Sequence, residues 1–278
     1  MGSEMCIRDR STAANAIRDG QWPEYNRDAL AVWERIAECW DAYMGDRGND
    51  FHNVLVRPVA MQLLEPVRGR KILELGCGAG LYTRDLLRAG ADVVATDGAE
   101  AFVHIASRRN PGCEVLSLDV TSEEDWKCLH RRHKRFDAVV CNMLFMDVAV
   151  VDLMCRQVAS LLRSGGIWVI SQQHPCFVTP DAELVAAQGI AGQRNSVMVH
   201  RYLNVEPYKA TGIRTQPETH YYFHRSLQSI VSHLTAAGLV VNGLVEPSFP
   251  PTEEPFQPLS YGSMPDIPPV LFVRALKL

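Results

Sequence analysis

No stretch of the 278-residue sequence approaches 18 consecutive apolar residues, so no helix is expected to span a membrane. No sign of charge is in excess: 28 Lys and Arg stand against 32 Asp and Glu, a net charge of −4. That balance disfavours a globally basic nucleic-acid binder. Cys-x-x-Cys pairs are missing. The eight cysteines (Cys6, Cys39, Cys77, Cys113, Cys128, Cys141, Cys155 and Cys176) are scattered, without zinc-like spacing. Several sit in apolar runs, as buried thiols do. Met1–Arg10 lacks the apolar core of roughly 7–15 residues that marks a signal peptide, and Glu4–Arg10 resembles a translated sequencing-adapter scar. Dispersed thiols without an export signal point to the cytoplasm. Internal repeats and low-complexity tracts are absent.

What is present is an ordinary globular composition, 47% hydrophobic and 22% charged, enough for one large domain or two small ones. Arg27–Met44 carries Leu30, Trp33, Ile36, Ala37 and Trp40 at helical spacing. A second helix is expected over Phe51–Leu64, kinked or divided by Pro58. Strands are expected at Lys71–Leu75, Asp92–Thr96, Cys113–Leu118, Phe136–Cys141 and Gly166–Ser171. Helices are expected between them at Leu81–Ala89, Glu100–Arg109, Ser122–Lys134 and Val148–Leu162. Such alternation predicts an α/β fold: a Rossmann-like, doubly wound, mostly parallel sheet. Residues 172–225 then show no clear long helix, and loops of that length are often functional lids. A helix at Ser226–Ala237 and strands at Leu239–Val245 and Val270–Leu276 follow. Half of the 16 prolines lie between those two strands, which reads as a hairpin with a long, stiff loop. The organisation expected is a tail (1–26), a helical cap (27–66) and a core (67–278). The core contains a lid insertion (172–225) and a Pro-rich loop (246–269).

The first strand ends in Glu74-Leu-Gly-Cys-Gly-Ala-Gly80. Glycines at such a turn let the backbone approach a ligand, and ligands bind beyond the carboxyl ends of parallel strands. A dinucleotide site wants Gly-x-Gly-x-x-Gly, but here Leu81 stands where the third glycine belongs. Glu74 would repel a pyrophosphate at the helix amino end and would help a cationic, phosphate-free ligand.

These residues resemble the first motif of class I S-adenosylmethionine-dependent methyltransferases, in a bacterial small-molecule subgroup, over roughly residues 37–247. The resemblance implies a seven-stranded sheet with an antiparallel last strand and S-adenosyl-L-methionine as cofactor. It implies a cofactor set of Glu74, Gly76, Cys77, Gly78, Gly80, Asp97, Gly98, Asp119, Val120, Asn142 and Met143. Within it, Asp97 holds the ribose hydroxyls, Asp119-Val120 contact adenine, and Asn142-Met143 lie beside the methionine moiety. His174-Pro175, His224-Arg225 and Glu246-Pro247 match the subgroup's His-Pro, His-Arg and Glu-Pro pairs.

On the acceptor side, His174 follows the fifth strand, where a histidine serves as general base at neutral pH or shapes the turn. His224 and Tyr222 are expected in the substrate pocket or in an aromatic packing cluster, and Tyr43 as a hydroxyl that positions an acceptor. His220 and His224 have the i, i+4 spacing of metal ligands on a helix, but a third ligand is missing, so no metal is expected. Cys176 reads as a pocket or core thiol. Asn142-Met-Leu-Phe145 is not the Asn-Pro-Pro-aromatic motif of adenine methylation in DNA. The basic run His130–Arg135 completes a helix carboxyl end. The expected function is methyl transfer to a small-molecule acceptor, with a homodimer allowed. The alternatives are an RNA methyltransferase and a non-catalytic cofactor-binding scaffold.

Overall fold

A computed structural model describes residues 21–189, 192–203, 205–251 and 259–278. The described chain enters through α1 (Asn26–Met44), whose buried Ala29, Val32, Ile36 and Ala37 form one inward stripe. A π-helical turn (Phe51–Val56) runs into α2 (Arg57–Leu64). The helical run expected over these residues is therefore divided just ahead of Pro58, which stands in the first turn of α2, where its missing N–H costs no helical bond.

The central alternation follows as β1 (Lys71–Leu75), α3 (Leu81–Arg88), β2 (Asp92–Asp97), α4 (Glu100–Arg109) and β3 (Glu114–Ser117). It continues through α5 (Glu123–Arg132), β4 (Phe136–Asn142), α6 (Asp152–Leu161) and β5 (Leu162–Gln173). Ser122 caps α5 by accepting a hydrogen bond from the Asp125 amide. The insertion after β5 is two short hairpins, β6 (Ala182–Gly189) with β7 (Gly192–Val199), and β8 (Tyr208–Ala210) with β9 (His220–Tyr222). The chain closes with α7 (Leu227–Ala236), β10 (Leu239–Val245) and β11 (Val270–Lys277). Pro255 and Pro258 of the Pro-rich return lie outside the described residues.

Seven strands form one sheet in the order β10-β11-β5-β4-β1-β2-β3. β11 runs antiparallel to both its neighbours, and the pairs from β5 to β3 are parallel. This is the expected architecture, antiparallel last strand included. Helices cover both faces, so alternate residues of β5 enter opposite cores: Trp168 and Ile170 one, Ile167 and Val169 the other. The strand order reverses between β1 and β4, which opens a crevice at their carboxyl ends.

Two expectations are corrected here. The helix expected from Val148 begins only at Asp152, after a 3-10 turn over Phe145–Asp147. The carbonyls of Val148 and Ala149 are taken by the buried Arg225 guanidinium instead of a helical turn. His220 lies in β9, so it and His224 do not share a helical face, and the i, i+4 ligand geometry does not form.

Candidate active site at the carboxyl ends of the strands

Beyond Leu75 the backbone passes through positive φ at Gly76, Gly78 and Gly80. The Gly78 amide donates to Asp97 Oδ2 at 2.8 Å, and the Ala99 amide donates to Oδ1 at 3.0 Å. The carboxylate at the end of β2 thus holds the glycine loop against its own strand. A Cβ on Gly78 would meet no protein atom within 4 Å, so its space belongs to the cavity that Gly78 lines. Gly80 differs: a Cβ there would come within 2.5 Å of Asn110 Nδ2, so this position serves packing of α3 on α4.

The cavity measures about 540 Å³. It gathers Glu74, Gly76, Cys77, Gly78, Asp97, Gly98, Asp119, Val120, Asn142 and Met143 from the ends of β1, β2, β3 and β4. Gly80 does not line it. Glu74 is 2% exposed and accepts a 2.6 Å hydrogen bond from Thr83 Oγ1. Burial pushes its carboxyl up to about 8. The fixed negative charge expected beside the glycine bend is therefore largely neutral at pH 7 in the protein alone. Burial pushes Asp97 up to about 6, against the opposing pull of its amide donors. Asp119 Oδ1 accepts from the Thr121 amide at 2.8 Å and from its hydroxyl at 2.7 Å. Asn142 Oδ1 accepts from Ser171 Oγ, while its Nδ2 is buried without a partner among the described residues. Met143 holds φ at 55°, a conformation uncommon for a non-glycine residue, directly at the cavity wall.

The acceptor-side residues separate. Tyr43 is 46% exposed and lines the cavity, with its ring edge-on to Trp40. His174 and His224 do not line it. His174 is buried, with Nε2 2.7 Å from Glu246 Oε1, and its Nδ1 accepts from the Cys176 amide at 3.2 Å. Its own amide donates to the Pro269 carbonyl. This histidine staples the end of β5 to the segments flanking the Pro-rich return. His224 Nε2 donates to the Tyr202 carbonyl at 2.7 Å and faces a separate small crevice. Burial lowers the pKa of both rings.

Residues 72–166 match the methyltransferase domain family. Over that stretch the chain carries a methyltransferase domain, and it is similar to class I S-adenosylmethionine-dependent methyltransferases. An uncharacterized protein of Haemophilus influenzae is 23% identical over 250 residues, covering 86% of this chain and 94% of the relative. The ubiquinone biosynthesis O-methyltransferase of Coxiella burnetii is 27% identical over 145 residues, covering 51% of this chain and 59% of the relative. The chain thus matches little more than half the length of that enzyme. An S-adenosylmethionine-dependent methyltransferase from Mesorhizobium loti superposes with a TM-score of 0.61 at 24% identity, covering 79% of this chain and 96% of that one. That likeness establishes the fold.

The glycine loop, the Asp97 carboxylate and the unpartnered Asn142 amide fit the cofactor of a methyltransferase domain. Tyr43 and Tyr222 line the same cavity, but sequence reasoning missed the groups around them. Asp147, Gln173 and Trp33 line it, and His220 points there from β9 rather than towards a metal. Among the described residues no group of three or more His, Cys, Asp or Glu side chains could hold a metal ion. Asp147 lies five residues beyond Asn142, at a strand's carboxyl end, and that position was its one available signal. Arg225 donates to the carbonyls of Phe145, Val148 and Ala149, and the Phe223 amide donates to the Met146 carbonyl. Arg225 of the His-Arg pair and the Phe223 amide therefore latch the loop that carries Asp147, while His224 is tied to Tyr202.

Proposed function

We propose that this protein transfers a methyl group from S-adenosylmethionine to a small-molecule acceptor enclosed between the strand ends, α1 and the insertion. One observation carries the reading. A single cavity runs from the glycine loop and Asp97 to a pocket walled by Trp33, Trp40, Thr211, Gly212, His220 and Tyr222. Asp97 would accept from the ribose hydroxyls, Asp119 and Val120 would border the adenine, and Asn142 Nδ2 would donate to the methionine end. When bound, the cofactor supplies a methyl group already activated on a positively charged sulfur. The protein's remaining task is to align the acceptor and exclude water. The indole and phenol faces over the cavity serve that exclusion.

An RNA acceptor draws no support from the basic run. Arg132 pairs with Glu114, Arg131 with Glu124, and Arg135 donates to the Ser160 carbonyl. None of them lines the cavity. His174 fits a positioning role for the Pro-rich return better than that of a general base, since both ring nitrogens are engaged away from the cavity. The test is incubation of the purified protein with methyl-labelled cofactor and fractionated metabolite extract, followed by mass analysis. A product heavier by one methyl group is expected. Label appearing only in RNA, or in nothing, would refute a small-molecule methyltransferase.

A further inference from the structure

The cavity holds a carboxyl oxygen, Asp147 Oδ1, that has no hydrogen-bond partner among the described residues. The Asp147 side chain is 10% exposed, and that oxygen is buried. Burying such a group unpaired is costly. The Arg225 and Phe223 bonds hold its loop in place, so the cost is built into the fold rather than relieved by it.

His220 faces it, with Nε2 3.9 Å from Asp147 Oδ1. Gln216 sets the tautomer of that ring. Its Oε1 accepts from Trp40 Nε1 at 3.2 Å and from the Gly212 amide at 3.1 Å. Its Nε2 is then the donor, both to the Glu218 carbonyl and to His220 Nδ1 at 3.0 Å. Nδ1 being the acceptor, a neutral ring carries its hydrogen on Nε2, towards Asp147. Burial lowers the ring to about 4 and keeps it neutral. With its one basic nitrogen taken, His220 is a positioning residue and not a base.

Two further features describe what completes the pocket. The Trp33 and Tyr222 rings each lie 4.4 Å from the His220 ring, so aromatic faces flank the carboxyl's surroundings. Among the described lining residues the only Lys or Arg is Arg57, and it is engaged by Asp85 and Asn53. An anionic acceptor finds no free cation there. A cationic one finds a buried carboxyl, whose ionised form its charge would favour, beside aromatic faces, the combination that favours ammonium groups.

We propose that Asp147 is the acceptor-binding residue and that the acceptor is a primary or secondary amine, entering as its ammonium and hydrogen-bonded to the Asp147 carboxylate. This rests on the methyl-transfer reading above. One N–H proton passes from the ammonium to the carboxylate, leaving a neutral amine with a free lone pair and a neutral carboxyl. Burial holds the Asp147 carboxyl well above the usual range, which makes its ionised form a base strong enough for that exchange.

Calorimetry of the full chain saturated with S-adenosylhomocysteine tests this with three probes of similar shape: phenethylamine, 2-phenylethanol and phenylacetate. The amine is expected to bind at least tenfold more tightly than the alcohol, and phenylacetate more weakly than either. Asp147→Asn should bring the amine to the alcohol's level while leaving the affinity for S-adenosylhomocysteine unchanged, which also reports that the variant is folded. If the variant does not fold, the ranking on the unaltered protein decides. Equal affinity for amine and alcohol, a preference for phenylacetate, no amine binding at millimolar concentration, or an unchanged amine affinity in the variant overturns the proposal. If the unaltered protein takes up no S-adenosylhomocysteine, the methyl-transfer reading fails instead, and the same ranking on the cofactor-free protein still decides the role of Asp147.

Discussion

The two ends of the cavity are built in opposite ways. The end proposed to hold the cofactor comes from the carboxyl termini of adjacent parallel strands, with Glu74, Asp97, Asp119 and Asn142 each at or just beyond a strand end. The end proposed for the acceptor is collected from α1, the loop after β4 and β9, segments that lie up to about 190 residues apart in the chain. At the first end the sheet positions every group by itself. At the second, side-chain latches do so: Arg225 on the carbonyls of the loop at 145–149, and Gln216 on Trp40 and His220. A binding site carried by a sheet tolerates change around it, whereas a latched one depends on its latches.

The sharpest test of that contrast is Asp97→Ala. It removes the acceptor of the Gly78 and Ala99 amides and should weaken S-adenosylmethionine binding at least a hundredfold by calorimetry, with acceptor-side variants leaving that affinity intact. Unchanged cofactor affinity would refute the ribose assignment. Next comes Arg225→Met. Loss of a buried cation that serves several carbonyls should cost roughly 3 kcal/mol or more in urea unfolding. Turnover should fall further than cofactor affinity. Equal losses in both would show that the two ends are not independent.

Protonation separates the ends further. Ionised, the Asp97 carboxylate accepts hydrogen bonds at both oxygens, whereas protonation turns one of them into a donor; burial places its titration at about 6. Cofactor affinity should therefore hold above pH 6 and fall by up to about tenfold for each pH unit below it. Titration calorimetry between pH 5 and 8 would read this directly. Glu74 acts on stability with the opposite sign. Its folded value of about 8 lies above the ordinary 4.5, so the folded protein keeps a proton that the unfolded chain releases. Its contribution is complete below about pH 4.5 and is lost as pH rises to 8. Glu74→Gln should flatten the decline in thermal stability over that window. An equally steep decline in the variant would show that Glu74 ionises normally.

The smallest effect is expected at His174→Ala. Cutting the tie to Glu246 should lower the melting temperature by a few degrees, about 1–2 kcal/mol. The rate at saturating substrates should stay within about twofold. A rate loss of a hundredfold or more at unchanged stability would restore the histidine as a base.

Much of the cavity lining at the strand ends could be read from the chain. Glu74-Leu-Gly-Cys-Gly-Ala-Gly80 follows a strand, and Asp97 and Asp119 stand after the next two, so a local pattern carries each group to the same edge. The acceptor end could not be read this way. His174 and His224 look catalytic because they follow a strand or precede a helix, yet each ring turns to a neighbouring backbone or carboxylate instead. Asp147 and His220 are 73 residues apart, and nothing local in either segment announces the other.

By itself the sequence determined the doubly wound sheet and the edge at which the glycine loop stands, because strand–helix alternation and glycine placement are local properties that each segment expresses alone. Only the tertiary structure decided which histidine enters the cavity, that burial pushes the Glu74 carboxyl up, and that Asp147 Oδ1 has no hydrogen-bond partner among the described residues. Those outcomes depend on how distant segments exclude water from one another, and exclusion is a property of the packed whole.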